Sequence, residues 1–310
     1  MKYFRWIGLA LLAAAIAFIA FNWGEITFAW DLYKVKRVSD KFYADYPLLT
    51  KDIAFTDKSD VRLDLYRPDD APGGPGDHPV FLFVHGGGWD EYDKLLHAPV
   101  AQKLLPEGMV VLIMDYTLYP NATYGQMTGE VADAIAWTIE NVAQYGGDPA
   151  RITVGGHSAG GHLAMLAAYD PQWLTATGHS LNEICGLVGI AGVYDVNAQM
   201  VFERSTGGTA PIMTAVMEGE PNFATASPIT YVAQHGADSP PVHLIHGSAD
   251  DTVPLSESDE FLAALQAAGI PSELTIYDGA GHTGLLLDAM VENPSRLVQD
   301  LSGFVNGCGQ

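Results

Sequence analysis

Residues 151–166, RITVGGHSAGGHLAML, constrain this chain more than any other stretch. Ile152 and Val154 are β-branched and suit a buried strand. Leu163, Ala164, Leu166 and Ala167 are helix formers at helical spacing. Between the two halves, Gly-Gly-His-Ser-Ala-Gly-Gly leaves room only for a tight turn with Ser158 at its tip. A side chain held there forces its backbone into a strained conformation, and the neighbours two residues away must be almost free of side chain. Gly156 and Gly160 meet that need. A Gly-x-Ser-x-Gly pattern so placed is a nucleophile elbow: the serine Oγ stands at the carboxyl end of a central strand, with the backbone N–H of Ala159 facing the same point. The pattern alone is weak in a chain with 33 glycines, and the flanking strand and helix give it its weight. A Gly-rich phosphate loop or a plain strand-to-helix turn is the alternative.

Residues 80–84 are a continuous apolar run, as expected of a strand buried on both faces, and they end in His85-Gly86-Gly87-Gly88-Trp89. Three glycines are costly in an ordinary turn because of the freedom they lose on folding. At the end of a strand expected beside the elbow strand, they can aim N–H groups at a developing oxyanion; a flexible loop is the competing reading. Further strands are predicted at 52–56, 61–67, 109–114, 184–191, 242–245 and 273–277, and helices at 97–105, 128–145, 256–268 and 290–304. The alternation predicts one α/β domain over residues 51–306 of the 310. Residues 196–239 break the rhythm, with Met200, Phe202, Met213, Val216, Met217 and Phe223 scattered among Gly, Thr and Pro. They read as a small cap over the sheet's carboxyl edge, or as filling for an irregular corner of the core.

Residues 6–21 carry no charge, with Lys2 and Arg5 before them and Glu25 and Asp31 after. Residues 1–23 therefore read as an N-terminal membrane anchor or signal segment. The small-x-small pairs Ala13/Ala15 and Ala15/Ala17 lie inside the apolar run, which favours an uncleaved anchor, and the positive-inside rule puts the domain outside the cytoplasm. Cleavage would leave it secreted or periplasmic. Trp23, Phe28, Trp30 and Tyr33 suit either a headgroup layer or a helix docked on the domain, and residues 24–50 read as a linker. Charge is divided unevenly: residues 1–67 hold 10 Lys/Arg and 8 Asp/Glu, the rest 5 and 29. A globular part so acidic repels nucleic acid and anionic headgroups; it is a solvated shell or an adaptation to salt. Two cysteines, Cys185 and Cys308, exclude a Cys-based zinc cluster and a disulfide framework, and leave a single bridge open.

A serine hydroxyl needs a base within hydrogen-bond reach, itself oriented by a third group. In elbow folds the order along the chain is Ser, acid, His, and after the acid-bearing loop at 246–254 one histidine remains, His282. His157 points away from the turn apex; His85 is expected to anchor the glycine loop and His246 its own turn. Asp250, at the end of its turn, is preferred as the acid over Asp251 and Asp278.

The segments HGGGW, GHSAGG, HGSADDTVP and GAGH resemble the α/β-hydrolase superfamily, in its carboxylesterase/lipase branch related to hormone-sensitive lipase. The resemblance covers about residues 50–305, and the HGGGW spelling and small cap are similar to feruloyl-esterase-like, kynurenine formamidase and prenylcysteine methylesterase relatives. It implies an α/β-hydrolase fold with a mostly parallel central sheet, helices on both faces and a small cap. It also implies Ser158 as nucleophile with Asp250 and His282 as partners, an oxyanion hole from the N–H groups of Gly87, Gly88 and Ala159, and no metal or cofactor. His157 stands where hormone-sensitive lipases carry an acidic residue, a departure that bears on the subfamily. The expected reaction is hydrolysis of carboxylic esters of short to medium acyl chains through an acyl-enzyme, with Trp89, Tyr92, Tyr119 and the cap shaping the pocket. A peptidase or formamidase using the same groups is the rival within enzymes. A membrane-tethered binding module is the rival outside them, although such modules typically lose a member of the triad. The expected partners are a small-molecule ester and, through the N-terminal segment, a membrane.

Overall fold

The computed structural model describes residues 23–69, 76–206, 208, 210–291 and 294–309. In chain order its elements are α1 (Trp23–Asp45), β1 (Leu49–Ile53), β2 (Leu63–Tyr66), β3 (His78–Val84), α2 (Ala98–Leu104), β4 (Val110–Met114), α3 (Tyr124–Asn141), β5 (Gly147–His157), α4 (Ala159–Tyr169), α5 (Pro171–Thr177), β6 (Gly186–Ile190), α6 (Val196–Thr206), α7 (Ala210–Val216), α8 (Ile229–Val232), β7 (Val242–Gly247), α9 (Ser256–Ala267), β8 (Ser272–Tyr277), α10 (His282–Val291) and α11 (Arg296–Gly307).

The apolar runs hydrogen-bond into one eight-stranded sheet, in the order β1-β2-β4-β3-β5-β6-β7-β8. β1 and β2 are antiparallel to each other, and β2 to β4; from β4 to β8 all pairs are parallel. Parallel strands covered by helices must be apolar on both faces, and β3 is: Val80, Leu82 and Val84 enter one core cluster, Phe81 and Phe83 the other. Each such side chain, fully buried, contributes roughly 1.5–3 kcal/mol. The chain leaves β3 for β4 on one side and returns by α3 to β5 on the other. Strand order therefore reverses between β3 and β5, and a crevice opens there at their carboxyl ends.

Two expectations need correction, and one open question is settled. Residues 24–50 are not a linker, because α1 occupies Trp23–Asp45. One stripe of it is Phe28, Leu32, Val35, Ser39 and Phe42, alternating steps of four and three, the period of a packed helix face, with Phe28 at its exposed end. Val35, Ser39 and Phe42 are buried, the Ser39 hydroxyl donates to the Leu95 carbonyl, and the helix packs on α2 and α10. The closing helix expected at 290–304 is two, α10 and α11. Pro294 disfavours helical backbone just before it, and the Ser295 side chain accepts from the Val298 N–H to start α11 afresh. Finally, the two cysteines pair: Cys185 and Cys308, 123 residues apart with Cα atoms 5.8 Å apart, join the end of α11 to the approach to β6.

Residues 196–239 fold mainly as α6, α7 and α8. Met200, Met213, Val216, Met217 and Phe223 are buried in the core cluster that receives Val80 and Leu82, while Phe202 is half-buried. The apolar run at 6–21 lies outside the described residues. Among the described residues no helix is long and apolar enough to cross a membrane.

Candidate active site

β5 ends at His157, and the chain turns into α4 through Ser158, whose φ of 54° and ψ of −122° hold it in a region that residues with a side chain rarely adopt. Such a conformation costs of order 1–3 kcal/mol and persists only where its surroundings enforce it. The Ser158 N–H donates to Ile190 O at 2.9 Å, and Ser158 O accepts from the His162 N–H at 3.0 Å. The first turn of α4 lies against the end of β3: a Cβ on Gly160 would sit 2.2 Å from Val84 O, and one on Gly156 would sit 2.5 Å from Gly160 C. Both positions exclude a side chain, as the elbow pattern requires. Ala159 opens α4, where N–H groups have no carbonyl within the helix to meet.

The loops after β7 and β8 bring the other two groups to this serine. His282 Nε2 lies 2.8 Å from Ser158 Oγ, and His282 Nδ1 lies 2.8 Å from Asp250 Oδ2. The Asp250 side chain is completely enclosed; its Oδ1 accepts from the N–H groups of Thr252 (3.0 Å) and Val253 (2.8 Å). Burial works to raise this carboxyl, but the hydrogen bonds from His246, His282 and Val253 and the proximity of His282 hold it well below the usual carboxylate range. Asp251 and Asp278 are exposed and occupied locally, with Thr252 and Ser248.

The other histidines frame this relay. His246 is fully buried, with Nδ1 2.7 Å from Ser258 Oγ and Nε2 2.9 Å from Val253 O. A carbonyl can only accept, so Nε2 carries the proton, and it also faces Asp250 Oδ2 at 3.3 Å. His246 thus fixes its own turn, as expected, and adds a partner to the acid that sequence reasoning missed; the four-residue spacing to Asp250 was the available signal. His157 Nε2 lies 3.2 Å from the His282 carbonyl, and the two rings are 4.8 Å apart. Burial, with the facing His282 ring, pushes the His157 imidazole well below its ordinary value. His85 Nδ1 meets Gly86 O at 2.7 Å and its ring stacks on Tyr116 at 4.5 Å, anchoring the glycine turn. Burial lowers it to about 4.

The turn after β3 carries positive φ at three consecutive residues, Gly87 (120°), Gly88 (58°) and Trp89 (66°), and a Cβ on Gly87 would sit 2.2 Å from Glu91 O. With no side chain at Gly87 or Gly88, the N–H groups of this turn are unobstructed. Gly87, Gly88, Ser158 and His282 together line a cavity of about 310 Å³. Trp89 and Tyr92 line it too, and the Trp89 indole donates to His162 Nδ1 at 3.2 Å. Tyr119 does not: its ring packs on the core, and its N–H donates to Trp89 O at 2.9 Å, so it supports the wall without forming it. The sequence reading also missed Gln199 and Glu203 of α6, both buried and both lining the cavity. Gln199 Nε2 donates to Glu203 Oε1 at 3.0 Å and Thr252 O at 2.8 Å. Among the described residues, no group of three or more His, Cys, Asp or Glu is arranged to hold a metal ion.

An alcohol, an imidazole and a carboxylate in hydrogen-bonded series can deprotonate the alcohol, and the glycine turn lines the same cavity. Comparisons with known proteins agree in kind. The chain is 31% identical over 266 residues to an isoprenylcysteine alpha-carbonyl methylesterase of Arabidopsis thaliana, covering 83% of this chain and 62% of that protein. It is 36% identical over 255 residues to the esterase LipQ of Mycobacterium tuberculosis, covering 79% and 59%. The chain spans about three fifths of the length of the curated relatives it matches. Among solved structures, a hyperthermophilic esterase from the archaeon Pyrobaculum calidifontis superposes with a TM-score of 0.70 at 21% identity, over 90% of each chain, a likeness of fold. The BD-FAE family model matches residues 63–265. The chain therefore belongs to the BD-FAE family, within the carboxylesterase/lipase branch of the α/β-hydrolases.

Proposed function

We propose that the chain is a serine carboxylesterase that cleaves esters of short to medium acyl chains through an acyl-enzyme. Ser158 Oγ attacks the ester carbonyl while His282 Nε2 takes its proton. Asp250 holds the Nδ1–H tautomer and stabilises the imidazolium. The carbonyl oxygen gains its negative charge against the N–H groups of Gly87, Gly88 and Ala159, where one well-aimed donor is worth roughly 3 kcal/mol. Collapse of the tetrahedral adduct expels the alkoxide, which takes the imidazolium proton and leaves as alcohol. Water then repeats the sequence on the acyl-enzyme, its proton passing to His282 and its oxygen entering the acid product. The chemistry runs through side chains and peptide groups alone.

The observation that carries this reading is the pair of 2.8 Å contacts at His282, one to Ser158 and one to Asp250. Relatives named esterase and methylesterase support the carboxylic ester as the bond attacked. Hydrolysis of nitrophenyl acetate and butyrate is the test. Turnover by the full chain that falls by at least 10⁴ in Ser158→Ala is expected, and a full chain that leaves both esters intact contradicts the proposal.

The domain works outside the cytoplasm, held at a membrane by residues 1–23. Support comes from the uncharged run at 6–21 with Lys2 and Arg5 before it, and from the Cys185–Cys308 bridge, a bond that persists in oxidising compartments. Fractionation of expressing cells, followed by alkaline carbonate washing of the membranes, tests the attachment. Release of the intact, full-length chain into the wash contradicts it.

A further inference from the structure

Two helices outside residues 63–265, the range shared with the family, add apolar residues to the cavity wall beside Val193, Ile212, Met213 and Val253 from within it. α10 begins at His282 and sets Thr283, Leu286, Leu287 and Met290 along the cavity. These positions, one, four, five and eight residues beyond the imidazole, form one face of a helix. From α1, Phe28 and Leu32, one turn apart, line the same cavity. The deeper residues of the same α1 stripe, Val35, Ser39 and Phe42, are buried in the fold and hold the helix in place. From His282 to Met290 the wall runs ~12 Å at the helical rise, about the length of an extended chain of eight to ten carbons at ordinary C–C bond lengths. Gln199 and Glu203 of α6 add polar groups to the lining.

We propose that the groove between α1 and α10 is the subsite for a straight apolar arm of the substrate, about eight to ten carbons long, and that Phe28 and Leu32 set the length selected. The proposal deepens the esterase reading and rests on it. Burial of each methylene in such a groove is worth about fourfold in binding, so the arm is selected by length. The same apolar chemistry serves an acyl chain or an alkyl alcohol. The selecting side chains come from the helix that follows the uncharged run at 6–21 in sequence.

Two substrate series separate the sources: nitrophenyl esters from acetate to decanoate lengthen the acyl arm, and acetates from methyl to decyl lengthen the alcohol arm. The full chain is expected to show kcat/KM rising to C8–C10 in one series. In the double variant Phe28→Ala with Leu32→Ala, the C10-to-C2 ratio in that series is expected to fall about tenfold. Phe28→Leu with Leu32→Met restores most of it. Trp30→Ala, 60% exposed on the same helix, leaves the ratio unchanged and separates selection from general disturbance of α1. Calorimetric binding of decanoate and of 1-decanol to Ser158→Ala protein reads the groove without turnover: one ligand should bind about tenfold more weakly when Phe28 and Leu32 are also alanine. Equal binding with and without those two side chains overturns the subsite even if no ester is hydrolysed. So does a C10-to-C2 ratio that the double variant leaves intact in both series. Loss of turnover with the binding difference retained counts against the esterase reading instead.

Discussion

Asp250 and Glu257 lie seven residues apart at the same end of the sheet, both buried and both accepting two backbone N–H groups, yet their acidities move in opposite directions. Asp250 is held well below the carboxylate range, whereas burial raises Glu257 to about 8, against weaker lowering by the N–H groups of Asp195 and Tyr194. The difference lies in the second oxygen. Asp250 Oδ2 faces the rings of His282 and His246. Glu257 places both N–H bonds on Oε2, from Tyr194 at 2.6 Å and Asp195 at 2.8 Å, and its buried Oε1 has no hydrogen-bond partner. Peptide N–H groups position a buried carboxyl, but imidazole partners on its remaining oxygen decide whether it carries charge. One acid is therefore fit to orient and stabilise an imidazolium, and the other is a neutral brace under the loop after β6.

The largest effect expected from this contrast is on turnover. Asp250→Asn keeps the shape and removes the charge, so kcat for a nitrophenyl ester should fall about 10³–10⁴-fold, as the amide favours the wrong tautomer of His282. Glu257→Gln, the same change in a brace, should stay within a few-fold. Equal losses in the two variants would erase the distinction.

A third carboxylate extends the comparison to stability. Asp64 is fully buried, and burial raises it despite an N–H from Asp52 and Lys94 Nζ at 3.2 Å. Lys94, itself 7% exposed, also reaches Asp52 at 2.7 Å. Lys94→Met strips the cation from this cluster and is expected to cost about 3–5 kcal/mol in urea unfolding.

The Glu257 brace should also set a pH dependence. Its folded acidity constant, about 8, lies above the ordinary 4.5, so the folded state holds a proton that the unfolded chain releases. The stability it contributes is complete below pH 4.5 and is lost as pH rises towards 8, at up to about 1.4 kcal/mol per unit. Glu257→Gln should flatten that decline and gain roughly 3–4 kcal/mol relative to the parent between pH 5 and 8, read from Tm across the range. A parallel offset at all pH values would mean that Glu257 is already ionised. Asp250 has the opposite sign: its contribution is present above the unfolded value of 3.8 and lost as pH falls through its lowered folded value.

The smallest effect is expected at His246. His246→Gln removes one of the two rings facing Asp250 while leaving His282 in contact, and should lower kcat about tenfold, shifting the acid limb of the pH profile upward as Asp250 becomes easier to protonate. A loss as large as that of Asp250→Asn would place His246 on the same footing as His282.

Much of this site was legible in the sequence because its parts are local necessities. Gly156 and Gly160 announce a turn packed against another backbone, the three glycines after β3 announce exposed N–H groups, and chain order picks out His282. The elements that lay hidden depend on partners far away in sequence. The α1 stripe is interrupted by Ser39 and set among charges, and its docking surfaces, α2 and α10, are fixed only by the fold. α10 was masked by an expected helix that ran across Pro294. Tyr119 adjoins Trp89 through a backbone hydrogen bond that no spacing reveals, and Glu257 sits in an acidic helix start, SESDE, whose partners Tyr194 and Asp195 lie more than sixty residues earlier. Cys185 and Cys308 meet across 123 residues for the same reason.

The relay through His282 is tested most directly by mapping the adduct formed with a fluorophosphonate. The account predicts one phosphonyl group on the peptide containing Ser158, no labelling in Ser158→Ala, and labelling slowed at least a thousandfold in His282→Gln. An adduct that persists in Ser158→Ala, or that forms at the parent rate without the imidazole, would contradict it.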